Sequence, residues 1–339
     1  FKQKTAYEIM PSLVGSEMCI RDRYINGAQV YDYLFMLSES WYYNVGVLCH
    51  EFGHVLGAPD YYHYSAGNGP TPVGYWDVMG SVRNPPQYPS AFTKWKYFKW
   101  IEPVEITSSG TYSLMPLKDE EKSSFFISSP FSEEEYFIFE YRNQEGMYDS
   151  NAPGTRSGLV AYRVNESAGN GNASGPPDEL YVYRPQGDIN NTGNLNDAPY
   201  SDIYNHSELN DHSDPSCFLY NGGEGSIGGL QLLDVSEPTD SISFTIITGT
   251  PELGLSQSLF DYALEVGHFD VKTLTISNNG EPGSLLAYEV SKPDSTDWLI
   301  LSSDDGLLDG ILESGDIARI HLQVYATELG EGDYTASLN

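Results

Sequence analysis

His50, Glu51, His54 and Asp60 have the types and spacing needed for metal-assisted hydrolysis. Two histidines four apart on a helix project about 40° from each other and can grip one ion. Glu51, about 100° round from His50, can act on a water held there. Gly57 lets the chain turn back after the second histidine, which makes Asp60 the best candidate for a third ligand. Zinc in a hydrolase takes three protein ligands and leaves a fourth position for water, whose pKa it lowers to about 7. Glu51 would take the water's proton as general base and pass it to the leaving amine. The bland alternative is two surface histidines on an ordinary helix; the Gly57 and Asp60 extension weighs against it.

An α+β chain has to position these groups. Ser38-Glu39-Ser40 reads as a helix start, and Val45, Leu48, Phe52, Val55 and Leu56 recur at helical spacing. The spacing predicts a helix from about Trp41 to Leu56, stopped by Gly57 and blocked by Pro59. A Gly- and Pro-rich loop follows over 62–74, then a second helix over 90–100 with Phe92, Trp95 and Phe98 on one side. Beyond Ile101 the pattern changes to strands: Gly110 to Leu114, Glu135 to Tyr141, Gly158 to Val164 and Ile242 to Ile247. Residues 166–228, rich in Asn, Asp, Gly, Ser and Pro, read as a long, ordered loop region. Thr248 to Leu253 is a short linker. Residues 255–339 read as a separate all-β, immunoglobulin-like sandwich, with its clearest strands at Leu274-Thr275-Ile276 and Ile320 to Val324. Tyr334 to Asn339 reads as part of a strand.

Composition narrows the function classes. The 339 residues carry 48 acidic against 17 basic side chains, a net charge of −31, which repels nucleic acid and anionic lipid. No apolar run is long enough for a membrane span, and no signal peptide is visible. Three cysteines make no disulfide framework; Cys49 and Cys217 either pair in an oxidising compartment or stay as buried thiols. The 26 Tyr and 14 Phe supply ample material for β-rich cores.

Several motifs together carry a resemblance. His50 to Asp60, then Gly74-Tyr75-Trp76-Asp77-Val78-Met79-Gly80, looks like the immune inhibitor A family of secreted bacterial metallopeptidases. Pro85 to Ser90, the Lys94 to Pro103 segment, Glu135 to Arg142, Pro153-Gly154 and Gly158-Leu159-Val160 extend the likeness over roughly 24–248. The resemblance implies a zinc endopeptidase of metzincin-like type, made as a precursor, secreted and usually calcium-stabilised. It implies that His50, His54 and Asp60 are ligands, Glu51 the base and Met79 the methionine of a turn beneath the metal. Protein or peptide substrates follow, and the sandwich would contact the cell surface or other domains. The rival class is a surface adhesin or binding protein with a catalytically impaired peptidase fold; an intact Glu51 argues against it.

The remaining features are weighed more briefly. Tyr88 could reach the site to stabilise an oxyanion, but a packing tyrosine is the commoner role. Lys94, Lys96 and Lys99 interleave with Trp95, Phe98 and Trp100, which fits an amphipathic helix better than a nucleic-acid face in so acidic a chain. Asp188, Asn190, Asn194, Asn196, Asp197 and Asp202 offer oxygens for calcium, without a strict calcium-loop pattern. The Asn-X-Ser/Thr triplets at Asn165, Asn172, Asn190 and Asn205 read as chance products of a polar loop. His63 reads as a loop histidine. Glu17 to Arg23 resembles a translated sequencing adapter, so residues 1–23 are expected to be an assembly scar ahead of a partial catalytic domain at 24–250. The family's larger N-terminal subdomain leads to the expectation that the chain lacks the upper cleft wall and is poorly active, and a strand pattern still running at Asn339 to the expectation that it is cut at the C-terminus too.

Overall fold

The computed structural model describes residues 24–25, 28–29, 44–65, 67, 69–117, 123–327 and 329–339. The adapter expectation at 1–23 and the helix start at Ser38 to Ser40 lie outside these residues. Near the start, β1 (Tyr24–Ile25) pairs antiparallel with β2 (Ala28–Gln29).

Helix α1 spans Val45–Val55 and is shorter at its start than the predicted Trp41. Asn44 is extended, with φ −140° and ψ 167°, and its side chain accepts the Val47 N–H at 3.0 Å. An asparagine cap satisfies one of the helix's free donors and fixes the first turn there. Gly57 ends the helix in the left-handed region, φ +99°, as the turn requires. The apolar stripe does not face the core: Val45, Leu48 and Phe52 are 57, 42 and 49% exposed. The buried side of α1 is Gly46, His50 and Gly53. A Cβ on Gly46 would collide with the Arg83 carbonyl and the Val82 side chain, so only glycine permits that approach.

Helix α2 covers Ala91–Lys96, capped by Ser90, whose hydroxyl accepts the Thr93 N–H at 3.3 Å. It stops short of the predicted Trp100 because the chain winds into a C-terminal turn. Phe98 N–H reaches the Thr93 carbonyl at 3.1 Å, Lys99 takes a positive φ of 59°, and Trp100 N–H returns to Lys94 at 2.9 Å.

The body of the first unit is layered. A five-stranded sheet runs β3 (Val104–Glu105), β5 (Ser124–Ser128), β6 (Glu135–Arg142), β7 (Gly158–Asn165) and β8 (Leu180–Val182). Only the β3–β5 pair is parallel. A short helix, α3 (Gly146–Asp149), lies between β6 and β7. Alternation divides the central strands between two cores. Phe137, Phe139, Tyr141, Leu159 and Ala161 face one side. There they meet Leu114, Leu232, Ile242, Phe244 and Ile246 of a smaller sheet made of β4 (Gly110–Leu114), β11 (Leu232–Leu233) and β12 (Ile242–Ile246). Ile138, Val160, Tyr162, Val164, Leu180 and Val182 face the other side and carry Ala58, Tyr61, Trp76, Met79 and Phe92. The metal-binding motif therefore rests on a sheet buried on both faces.

The expected loop region 166–228 contains β8 and a short hairpin, β9 (Phe218–Leu219) with β10 (Ser226–Ile227), and it buries Tyr181, Tyr183, Tyr200 and Cys217. The last unit has its own core of Leu274, Ile276, Leu299, Leu312, Ile320, Leu322 and Val324. One sheet orders β13 (Leu253–Leu255), β14 (Phe269–Asn278), β18 (Ile317–Tyr325) and β16 (Leu299–Ser303). The other pairs β15 (Leu285–Glu289) with β17 (Asp309–Glu313). Tyr334 to Asn339 form no strand, a correction to the expectation, although Asn339 exchanges two 3.0 Å backbone hydrogen bonds with Ser291. The chain is thus mixed α+β, rich in strands and poor in helix.

Candidate metal centre

The Nε2 atoms of His50 and His54 both point at Oδ1 of Asp60, at 3.1 and 3.5 Å. The three atoms lie within 4.8 Å of one another. Each imidazole is fixed through its other nitrogen: His50 Nδ1 lies 2.9 Å from the Val78 carbonyl and His54 Nδ1 lies 2.8 Å from the Ala58 carbonyl. A carbonyl only accepts, so both Nδ1 atoms must donate, and in the neutral rings both Nε2 atoms carry lone pairs. Asp60 Oδ1 is buried with no hydrogen-bond donor. Three lone-pair atoms converge on one point, and a cation is what such a point attracts. Bonds of about 2.05 Å at tetrahedral angles put ligand atoms about 3.3 Å apart, close to the two separations seen.

Electrostatics tell the same story. Burial disfavours ionisation of Asp60, but His50, His54 and the Tyr64 hydroxyl outweigh it and hold the carboxyl well below the usual range. Burial lowers both imidazoles, yet contact with Asp60 leaves each raised, so the pocket draws positive charge. Glu51 is half-buried on α1; burial raises it above an ordinary carboxylate, Asp60 adds to the rise, and the two imidazoles oppose it. A raised carboxylate suits a group that must take up and release a proton.

Met79 lies directly beneath. A Cβ on Gly53 would come 2.5 Å from the Met79 sulfur, so the thioether packs against the helix between the two histidines. The turn around it supports both sides of the site. The Val78 carbonyl holds His50, and the Met79 carbonyl accepts the Tyr61 N–H at 2.9 Å, next to Asp60. Asp77 is a residue that sequence reasoning missed. Its buried carboxylate accepts the Met79 N–H at 2.7 Å, the Ser90 N–H at 2.7 Å and the Thr93 hydroxyl at 2.5 Å, tying the turn to α2. Its only signal was its place inside the Trp76 to Met79 motif.

The Asp60 loop is anchored to the segment before β8. Asn172 N–H donates to the Asp60 carbonyl at 2.8 Å, Tyr64 N–H to Ala173 at 3.0 Å, and His63 Nε2 meets Asp178 at 2.6 Å. His63 is therefore a clamp and lies outside the ligand set. Glu179 ties the same segment to α2 through Lys96 and the Tyr97 hydroxyl, both at 2.7 Å, and accepts the Gly171 N–H at 2.8 Å.

The other candidates lie away from the ligands. The Tyr88 ring packs against Tyr148 and under the Lys94 ammonium, 4.4 Å from the ring centre. Lys94 is fully buried and Lys96 is paired, so the lysines form no basic face. Asp188 accepts Asn190 N–H, Asn191 N–H and the Asn191 side chain, while Asp197 pairs with Arg156 and accepts from Asn194. Asp188 and Asp197 thus each have local hydrogen-bond or ion-pair partners. Among the described residues, the group of His, Cys, Asp and Glu spaced for a metal is His50, His54 and Asp60. Cys49 is exposed, Cys217 is buried, and both thiols are free.

No helix among the described residues is long and apolar enough to cross a membrane. No curated protein and no solved structure matches the chain. The family model described as "Immune inhibitor A peptidase M6, catalytic domain" matches residues 11–94, about a quarter of the chain. It takes in residues 11–23 and ends in α2, so the likeness at Glu135 to Arg142 and Gly158 to Val160 lies beyond it. The matched family implies a peptidase that uses a metal and acts on protein substrates. The stretch that holds α1, the Asp60 loop and the Met79 turn is similar to the catalytic domain of the immune inhibitor A peptidases.

Proposed function

We propose that this chain is a secreted zinc endopeptidase in which His50, His54 and Asp60 hold the ion and Glu51 is the general base. The observation that carries the reading is the convergence of two Nε2 lone pairs and one carboxylate oxygen on a single point, with both Nδ1 atoms committed to backbone carbonyls. When bound, zinc supplies Lewis acidity, which acidifies water and polarises a carbonyl. The protein's own part is positional. The backbone carbonyls of Val78 and Ala58 fix the imidazole tautomers, and Met79 supports the helix that carries them. Glu51 takes a proton from the attacking water at its carboxylate and hands it to the departing amine nitrogen. Residues 24–250 form the catalytic unit, with a metzincin-like layout of helix, ligand loop and methionine turn. Residues 255–339 form an immunoglobulin-like sandwich that spaces or anchors the enzyme.

Zinc content and cleavage of an unfolded protein substrate, measured with a Glu51→Ala control, test the reading. We expect zinc bound at about one per chain in both proteins. We expect hydrolysis to fall about a thousandfold without the carboxylate. Hydrolysis indifferent to Glu51 would remove the assigned base. Zinc bound with no Glu51-dependent cleavage would favour the adhesin.

A further inference from the structure

Asp60 has two oxygens, and they face different partners. Oδ1 faces the two Nε2 atoms; Oδ2 accepts a hydrogen bond from the Tyr64 hydroxyl. We propose that Tyr64 is a positioning residue that holds Asp60 as a one-oxygen ligand and so keeps a coordination position open for water and substrate. The inference rests on the metal-site reading above and adds to it the group that sets the ligand's denticity.

The geometry is built for this role. A carboxylate with both oxygens free can swing until both face the ion. A donor fixed on Oδ2 draws that oxygen's lone pair away and leaves Oδ1 alone on the metal side. The partners of metal ligands orient them in this way and tune affinity. Tyr64 is itself held, because its N–H donates to Ala173 at 3.0 Å and the preceding His63 is clamped to Asp178. The anchored backbone limits how far the phenol can follow Asp60 if the carboxylate rotates. Its ring stands half in solvent, 52% exposed, and packs at 5.5 Å against Tyr62, which in turn lies 6.5 Å from the His50 ring. A half-exposed ring is not part of the core, so removing one hydroxyl leaves the fold standing. The bland alternative is a bond that merely stiffens the loop from Asp60 to Tyr64; it predicts a change in stability and none at the ion.

The test is Tyr64→Phe in the full chain, titrated with zinc(II) in competition with a chromophoric chelator and, separately, with cobalt(II). For wild type we expect one ion per chain and the intense visible bands of four-coordinate cobalt. For the variant we expect zinc affinity lower by about tenfold or more. The cobalt bands should weaken and move towards those of a five-coordinate ion, as Oδ2 joins Oδ1. An unchanged cobalt spectrum overturns the proposal, whether or not affinity falls, because the bond would then be structural only. Zinc affinity within about twofold of wild type overturns it as well. Failure of the underlying reading looks different: wild type itself would take up neither ion stoichiometrically.

Discussion

Gly53 lies on α1 against the Met79 sulfur, between His50 and His54 in the helix. A methyl group added there would stand 2.5 Å from that sulfur, so the thioether or the helix must give way. Forcing extra volume into a packed contact costs about 1–3 kcal/mol. Because the displaced element carries both ligands, Gly53→Ala is expected to lower the melting temperature and weaken zinc binding together. Calorimetry with and without zinc checks this; a variant that loses stability yet binds zinc as wild type does would show that Met79 supports the fold and not the site. The grouping of His50, His54 and Asp60 was legible in the sequence because the i, i+4 spacing and the Gly57 turn are local geometry. Tyr64 and Asp77 were not. One owes its role to the direction of a hydroxyl, the other to a helix whose cap, Ser90, lies thirteen residues later.

The elements are joined by buried carboxylates more than by surface pairs. Asp77 joins the methionine turn to α2 by accepting three buried donors. Asp77→Ala would strand all three, at about 1–3 kcal/mol for each donor left without a partner. The expected outcome is a loss of several kcal/mol, read by urea unfolding; a loss under about 1 kcal/mol would mean that water replaces the carboxylate. At the same N-terminus of α2, Glu140 accepts the Ala91 N–H at 2.6 Å and the Tyr162 hydroxyl at 2.7 Å, and Arg142 lies 3.0 Å from it. Strands β4, β6, β7 and β12 stood out in the sequence through their alternation and aromatic content. β8 did not, because three buried residues in a polar stretch have no periodicity to read. The apolar stripe of α1 does not set its orientation: small Gly46 and Gly53 permit close approach on the opposite side, and that side is buried.

For the molecule as a whole, acid stability should depend on His206. Its ring stacks on Tyr200 at 3.9 Å, and burial drives its pKa from 6.5 down to about 4. Between those values the unfolded chain binds a proton that the folded chain refuses, so stability falls as pH drops from 6.5 towards 4 and levels off below. The loss amounts to about 3 kcal/mol at most. His206→Gln should melt with a shallower pH dependence across that window, and a slope equal to that of wild type would refute the assignment. The C-terminal residues have a core of their own. The two-layered support of the site was not legible in the sequence, since it depends on strands far apart in the chain.

The clamp between His63 and Asp178, 115 positions apart, has a thermodynamic consequence. With the Asp60 loop tied to the segment just before β8, ion uptake at the proposed site and sheet integrity would become a single equilibrium: whatever binds the folded form alone raises its stability by mass action. A chelator should therefore lower the melting point of the layered sheets beneath the site and leave the separate core within residues 255–339 untouched. The ion would serve as a late staple closing the chain across its own length, and its removal would register in strands that never touch it.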